Sequence, residues 1–474
     1  MSSVFIRTLL ASLTLLSVLG LPVDLSKISN DTDVRKIESD AGMVTIDPKY
    51  NSSMFYWYFP PVNASLEAND DTPLIMWIQG GPGASGFIGN FFEVGPLNLV
   101  DNTTLARRNI TWANNYHMIF VDSPVGTGYS YTDSDYGYAN DTEVDVTKQL
   151  YTFLTKFYDD IKPELKSNPL FLVGESYAGH YIPAFGKYLF EHPIKGTRFG
   201  GVAIGDGLTF PAFQVAAKPD VAYYFDVIGP DRLAEARRLG EEGKRLALQG
   251  KWIEASQARD KLESLMTDQS GGVNLYDVRT TDDYSWQDDR LQYFLNLPQV
   301  KETLHVPSSR SYGTVDAVGE HMSADIMKPM VHCLPPLLNA NITVMLYEGQ
   351  MDSKDGLIST EAWIPEMIWD GMDEYAMSSR AVWKGADASD LEEAVYGYAR
   401  QAGPFSHYSV RNAGHMVPMN QPEAAMNLID RFINGALLSL NVTQNDSTNS
   451  SSSEESSAWL PEYPEETYNY VEWN

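Results

Sequence analysis

One ten-residue stretch, Phe171-Leu-Val-Gly-Glu-Ser176-Tyr-Ala-Gly-His180, constrains the fold of this chain more than any other. Phe171–Val173 is an apolar run of the kind that forms a buried strand. Tyr181-Ile-Pro-Ala-Phe and then Lys187-Tyr-Leu-Phe read as a helix leaving it. Between the two lies Gly174-x-Ser176-x-Ala178-Gly179, small residues on both sides of one serine. A strand that turns at once into a helix holds its apex residue in a strained backbone region, where bulky neighbours would collide with the turn. Small neighbours remove the collision. They leave the Ser176 hydroxyl exposed at a sheet edge, under a helix N-terminus that favours negative charge. Ala178 stands where a strict G-x-S-x-G pattern has glycine, so the string alone also fits an ordinary Gly/Ser turn. The rest of the chain has to decide between the two.

Val44–Ile46, Phe55–Phe59, Leu74–Ile78 and Met118–Val121 are strand candidates, each closed by Pro, Gly or Asp. The first two suit an antiparallel pair. The later ones are continuous apolar runs, as expected of strands buried on both faces. A helical pattern from Glu143 to Phe157, the strand before Ser176 and then Gly201–Ile204 continue the series. Strands alternating with helices predict a mostly parallel central sheet with helices on both faces. The alternation stops over about 208–300. There Pro230–Met266 is almost wholly helical in composition, with a break expected at Gly250. Leu239, Leu246 and Ala247 in one half, and Trp252, Ala255, Leu262 and Leu265 in the other, form apolar stripes opposite charged faces. This reads as a helical hairpin inserted as a lid. Gly271–Trp286 is polar and turn-rich. Alternation returns with Val344–Tyr347, Tyr408–Val410 and a helix from Gln421 to about Leu438. Residues 21–440 therefore read as one domain. Residues 441–474 hold no Lys or Arg, are dominated by Asn, Ser, Thr and Glu, and read as a disordered acidic tail.

The net charge of −29 excludes nucleic acid as a partner, since neutralising phosphates needs a basic face, and argues against docking on an anionic membrane. Residues 1–20 carry Arg7, a short apolar core and Val18-x-Gly20, the pattern of a secretory signal peptide. No later segment is apolar for long enough to cross a bilayer. Ten Asn-x-Ser/Thr sequons, at Asn30, Asn51, Asn63, Asn102, Asn109, Asn140, Asn341, Asn441, Asn445 and Asn449, agree with that route and predict a glycoprotein. Cys333 is the only cysteine, so no intramolecular disulfide forms, and it reads as a buried thiol. A core of this size needs no covalent staple.

A serine hydroxyl is a weak nucleophile and needs a general base, itself oriented by an acid. After an elbow serine these follow in chain order Asp, then His. Of the histidines downstream, only His415, in Ala413-Gly-His-Met-Val-Pro418, sits in a short loop between a strand and a helix. The others, His180, His192, His305, His321, His332 and His407, read as surface or satisfied core residues. Asp352 follows the strand Val344–Tyr347 and the turn Gly349-Gln-Met. Asp355 lies three residues on, and spacing does not separate the two.

These residues carry a family resemblance. Gly80-Gly-Pro-Gly83 after Trp77-Ile-Gln79, Asp122-Ser-Pro-Val-Gly-Thr-Gly-Tyr-Ser130, Gly174-Glu-Ser-Tyr-Ala-Gly179, Gly349-Gln-Met-Asp352 and Gly414-His-Met-Val-Pro418 occur here in order. Over about residues 35–438 the chain resembles the serine carboxypeptidases, which have the α/β-hydrolase fold. Gln79 and the sparse cysteines make it most similar to the vitellogenic carboxypeptidase-like subgroup. The resemblance implies Ser176 as nucleophile, His415 as general base and acid, and Asp352 as the orienting carboxylate. It implies the N–H groups of Gly81 and Tyr177 as the oxyanion hole. Glu175, Gln79 and the N–H of Gly80 would bind the substrate's C-terminal carboxylate, with Glu93 as the partner carboxyl of Glu175. Three positions depart from the family pattern: Gln79 for Asn, Ala84 for Cys, and Asn420 for a common Asp. None removes a member of the triad.

The expected function is a serine-type carboxypeptidase, secreted or lysosomal, that releases C-terminal residues from peptides through an acyl-enzyme at acidic pH. Its partners are peptides with a free C-terminus; no metal or cofactor is expected, and the oligomeric state is open. The alternatives are an acyltransferase or esterase using the same triad, and a non-catalytic secreted binding protein that kept the fold.

Overall fold

A computed structural model of the chain describes residues 20–62, 71–313, 316–385 and 395–435. The expected signal peptide (except Gly20), Asn63, Asn441, Asn445, Asn449 and the acidic tail lie outside the described residues. The chain divides into a unit Met1–Leu438 and a unit Ser439–Asn474, and only the first contains described residues.

The strands are β1 (Leu21–Pro22), β2 (Asp40–Asp47), β3 (Ser52–Phe59), β4 (Leu74–Ile78), β5 (Leu97–Leu99), β6 (Leu105–Arg107), β7 (His117–Val121), β8 (Pro169–Glu175), β9 (Arg198–Gly205), β10 (Thr343–Gly349), β11 (Ala381–Lys384), β12 (Val395–Ala402) and β13 (Phe405–Val410). All but β5 and β6 join one 11-stranded sheet in the order β1-β2-β3-β7-β4-β8-β9-β10-β13-β12-β11. From β7 to β13 every neighbouring pair is parallel. Both flanks are antiparallel, and β2–β3 is the pair expected from the sequence, with Val44 opposite Met54.

Strand β4 shows why the centre is continuous apolar sequence. Its side chains alternate between two cores: Ile75 and Trp77 join one cluster, Leu74, Met76 and Ile78 the other. Helix α1 (Thr147–Lys156) and helix α2 (Ala178–Glu191) pack Leu150, Phe153, Tyr181, Ile182 and Phe185 into the second cluster. Each large apolar side chain removed from water contributes about 1.5–3 kcal/mol. These two buried faces hold the parallel strands in register. Their C-terminal ends thereby present a fixed platform, where open α/β sheets bind ligands.

The insertion has its own core. Helices α3 (Pro211–Tyr224), α4 (Pro230–Leu248) and α5 (Trp252–Ser270) bury Val215, Leu239, Leu246, Ala255, Leu262 and Met266 together. The break falls where expected, at Gly250, whose φ is 71°. An ion cluster ties these helices to the platform: Glu263 of α5 accepts from Lys218 of α3 at 2.6 Å and from Lys354 at 2.7 Å. Burial works against the Glu263 charge, yet Arg259, Lys218 and Lys354 hold its carboxyl well below the usual range. Helix α6 (Pro422–Ile433) covers the other face of the sheet with Leu428, Ile429 and Phe432.

Candidate active site

The chain leaves β8 at Glu175 and enters α2 at Ala178, so Ser176 must turn it within two residues. It does so at φ 64°, in the left-handed region that a side chain rarely enters, as an elbow requires. Backbone hydrogen bonds hold that conformation. The Ser176 N–H donates to Gly205 O (3.0 Å), and its carbonyl accepts from Gly179 (2.8 Å) and Leu208 (2.9 Å). The loop after β4 packs directly against the elbow. A Cβ on Gly80 would lie 2.4 Å from Tyr177 N and 2.7 Å from the Ser176 Cβ, so only glycine fits there. Among the described residues, the N–H groups of Gly81 and Tyr177 have no hydrogen-bond acceptor. Tyr177 itself is anchored at its far end, where its hydroxyl donates to Asp325 (2.7 Å).

His415 follows β13 and Asp352 follows β10, two adjacent parallel strands. The two loops approach closely enough that a Cβ on Gly349 would lie 2.0 Å from Gly414 O. The His415 Nδ1 lies 2.8 Å from Asp352 Oδ2, and the buried Nε2 makes no hydrogen bond. Asp352 also accepts the N–H groups of Lys354 (2.6 Å) and Asp355 (3.2 Å), so three donors fix its carboxylate. Asp355 turns the other way. Its carboxylate lies 3.4 Å from Lys218 Nζ, and although burial opposes its charge, Lys218 and Arg259 hold its pKa below the usual value. Of the two candidates, Asp352 is the one whose carboxylate meets His415.

Beside the elbow lies a second constellation. Glu175 and Glu93 are each 1% exposed and lie side by side on the Gln79 amide. The Trp77 indole N–H donates to Gln79 Oε1 (2.8 Å), which orients the amide N–H₂ toward Glu175 (3.1 Å) and Glu93 (3.4 Å). Burial, and then the Glu93 charge, push Glu175 well above the usual carboxyl range; burial raises Glu93 as well. One proton shared by two buried carboxyls is the stable state. Gln79, in place of the family's Asn, is thus held by Trp77 with its amide turned into the pair.

Two contributors are absent from the residues singled out in the sequence. The first is the segment Leu275–Val278, directly after the helical insertion. Tyr276 O accepts the His415 N–H (2.7 Å), Leu275 O accepts the Ser353 N–H (2.9 Å), and Val278 N–H donates to Met351 O (3.0 Å). The Tyr276 ring packs edge-on against the His415 imidazole, centroids 4.7 Å apart. The second is Asp206, buried at the end of β9, whose carboxyl accepts the Gly349 N–H (3.0 Å) and has an oxygen within 4.8 Å of one of Asp352. Its position between Gly205 and Gly207 at a strand end is the one clue the sequence offers. Asn420, which replaces a common Asp, accepts the Gly414 N–H (2.7 Å) and so braces the histidine loop.

The remaining histidines have ordinary partners. His407 pairs with Glu348 (2.6 Å), His180 lies 2.5 Å from Leu208 O, His192 reaches Tyr188 O, His305 reaches Pro22 O, His321 reaches Asp135 and His332 reaches Glu143. Cys333 is buried, and burial raises its thiol well above the usual value. It is a poor nucleophile.

Comparison with known proteins shows the family to which the chain belongs. The profile of the serine carboxypeptidase family matches residues 30–435. The "Probable serine carboxypeptidase CPVL" of Dictyostelium discoideum is 36% identical over 424 residues, covering 86% of this chain and 80% of that protein. The vitellogenic carboxypeptidase of Aedes aegypti is 33% identical, covering 85% of each. Among solved structures, Kex1, a prohormone-processing carboxypeptidase from Saccharomyces cerevisiae, superposes with a TM-score of 0.77 at 25% identity. That match covers 87% of this chain and 95% of the Kex1 chain.

Proposed function

The chain belongs to the serine carboxypeptidase family, and from that premise we propose how its own residues carry out the family's reaction. It is a serine-type carboxypeptidase acting on peptides. In our reading, His415 Nε2 takes the Ser176 proton as the hydroxyl attacks the carbonyl before the last residue, and Asp352 holds the imidazole in the required tautomer. The N–H groups of Gly81 and Tyr177 receive the developing oxyanion. The leaving amine takes the proton from His415, and water then releases the acyl group from Ser176 by the same steps in reverse. The observation that carries this reading is the His415–Asp352 hydrogen bond beside a serine held at positive φ.

The substrate's C-terminal carboxylate is bound, in this proposal, by Glu175 with Gln79 and the Gly80 N–H, Glu93 holding the shared proton in place. A hydrogen bond to a charged group contributes roughly 1.5–3 kcal/mol, about ten- to a hundredfold in KM. Because the pKa of the pair is raised, the donor is present below that pKa and lost above it, where the pocket also repels the anionic ligand. KM for free-acid peptides is therefore expected to rise with pH. In Glu175→Gln, whose amide cannot ionise, it is expected to stay low up to neutral pH. Peptide amides and esters without the carboxylate are expected to show neither effect. A parent KM for free-acid peptides that is flat from about pH 4.5 to 7.5 contradicts the assignment.

For location, we propose entry into the secretory pathway through residues 1–20, with the helices over about 208–300 acting as a lid. The six described sequon asparagines, Asn30, Asn51, Asn102, Asn109, Asn140 and Asn341, are all exposed, which supports N-glycosylation. Enzymatic removal of N-glycans from the protein expressed in its own cells is expected to increase its gel mobility, and an unchanged mobility contradicts that route.

A further inference from the structure

Asp206 is outside the proposed triad, yet it is built directly against it. One carboxyl oxygen of Asp206, one of Asp352 and a ring nitrogen of His415 lie within 4.8 Å of one another, all three groups buried. Strand β9 ends at Gly205, whose carbonyl holds the Ser176 N–H, so Asp206 sits one residue from the elbow's own anchor. The Asp206 N–H is tied to Tyr347 O (3.0 Å), and φ is 41°, a left-handed conformation that Asp tolerates. With the Gly349 N–H that its carboxyl accepts, these constraints hold the residue in place beside Asp352.

Two buried carboxyl groups this close do not both ionise at low cost. Asp352 accepts three N–H groups, from Lys354, Asp355 and His415. Among the described residues Asp206 accepts only the Gly349 N–H, shared between its two oxygens at 3.0 and 3.2 Å. The proton therefore belongs on Asp206. Burial, and then the charges of Asp352, Glu348 and Glu175, push it in the same direction. The cations of this region, Lys218, Arg259 and Lys354, act on Glu263 and Asp355 instead.

We infer that Asp206 is a positioning residue: as a neutral carboxylic acid it donates a hydrogen bond to Asp352, fixing that carboxylate toward His415 and moderating its hold on the imidazole proton. The inference rests on the triad assignment above. A donor on Asp352 spreads its negative charge, so Asp352 stabilises the imidazolium less than a bare carboxylate would. Removing that donor is expected to strengthen the hold of Asp352 on the imidazole proton.

The test is a pH series of kcat and KM on a blocked peptide ester whose leaving group has no carboxylate, which takes the Glu175–Glu93 pair out of the measurement. In Asp206→Ala the donor is gone. Its kcat is expected to fall about tenfold or more with KM little changed, and the acid limb of kcat/KM to move up by about half a pH unit or more. Asp206→Asn can accept from Gly349 and donate to Asp352 at once. It is expected to restore kcat to within about threefold of the parent and return the acid limb to its parental place. An asparagine variant that folds, judged by its thermal midpoint, yet loses more than tenfold overturns the inference. So does an alanine variant with parental kcat and an unmoved acid limb. Should the alanine variant not fold, the asparagine outcome alone decides. Asp352→Asn in the same series separates the premises: if it retains activity, the triad assignment fails whatever Asp206 does.

Discussion

Ser176→Ala is expected to give a folded protein that hydrolyses peptides at least about 10⁴-fold more slowly than the parent. The elbow is held by backbone hydrogen bonds to Gly205, Gly179 and Leu208, all of which alanine keeps. The hydroxyl is half-buried and makes no side-chain hydrogen bond among the described residues, so its removal opens no cavity in either core. The thermal midpoint should therefore stay within about 2 °C of the parent. The lost activity reflects chemistry: without the oxygen there is no acyl-enzyme, and the other triad members have nothing to activate. Purified Ser176→Ala with activity within tenfold of the parent, measured on a peptide free of contaminating protease, would remove the serine from the mechanism.

Asp352→Asn and Asp355→Asn are expected to separate cleanly, one in rate and the other in stability. Asparagine at 352 presents an amide to His415 Nδ1 and no longer holds the tautomer whose Nε2 accepts a proton, a loss on the order of 10⁴ in kcat. Its shape fits the same space, so folding is kept. Asparagine at 355 leaves the 2.8 Å His415–Asp352 contact alone. It removes one of two anions around Lys218, a side chain 1% exposed, while Glu263 still binds that ammonium at 2.6 Å. A loss of about 1–3 kcal/mol in stability with kcat within tenfold of the parent follows. Calorimetry and steady-state kinetics on the two variants check this, and the reverse pattern would move the orienting role to Asp355.

Much of this site was legible in the sequence because its parts are local. The strand–Ser176–helix elbow, the glycine loop after β4 and the short loop around His415 are each written in consecutive residues. The parallel centre was legible for a related reason: strands buried on both faces, such as Leu74–Ile78, must be continuous apolar runs. The antiparallel edge formed by Ala381–Lys384 and Val395–Ala402 escaped, since one side of each strand meets water and its polar residues dilute the pattern. Helix α3 escaped because Pro219 lies inside it, where proline ordinarily argues against a helix. The choice between Asp352 and Asp355 needed side-chain direction, which a three-residue spacing does not carry. Leu275–Val278 serves through backbone N–H and carbonyl groups, which every residue type supplies, so no sequence pattern marks it.

An activated Ser176 nucleophile is the centre of the proposed mechanism, and a fluorophosphonate probe reads it directly. Mass spectrometry of the labelled, digested protein is expected to find one adduct, on the peptide containing Ser176. Ser176→Ala should show none, and Asp352→Asn should label much more slowly. No adduct on the folded parent protein, or an adduct on another serine that persists in Ser176→Ala, would contradict it.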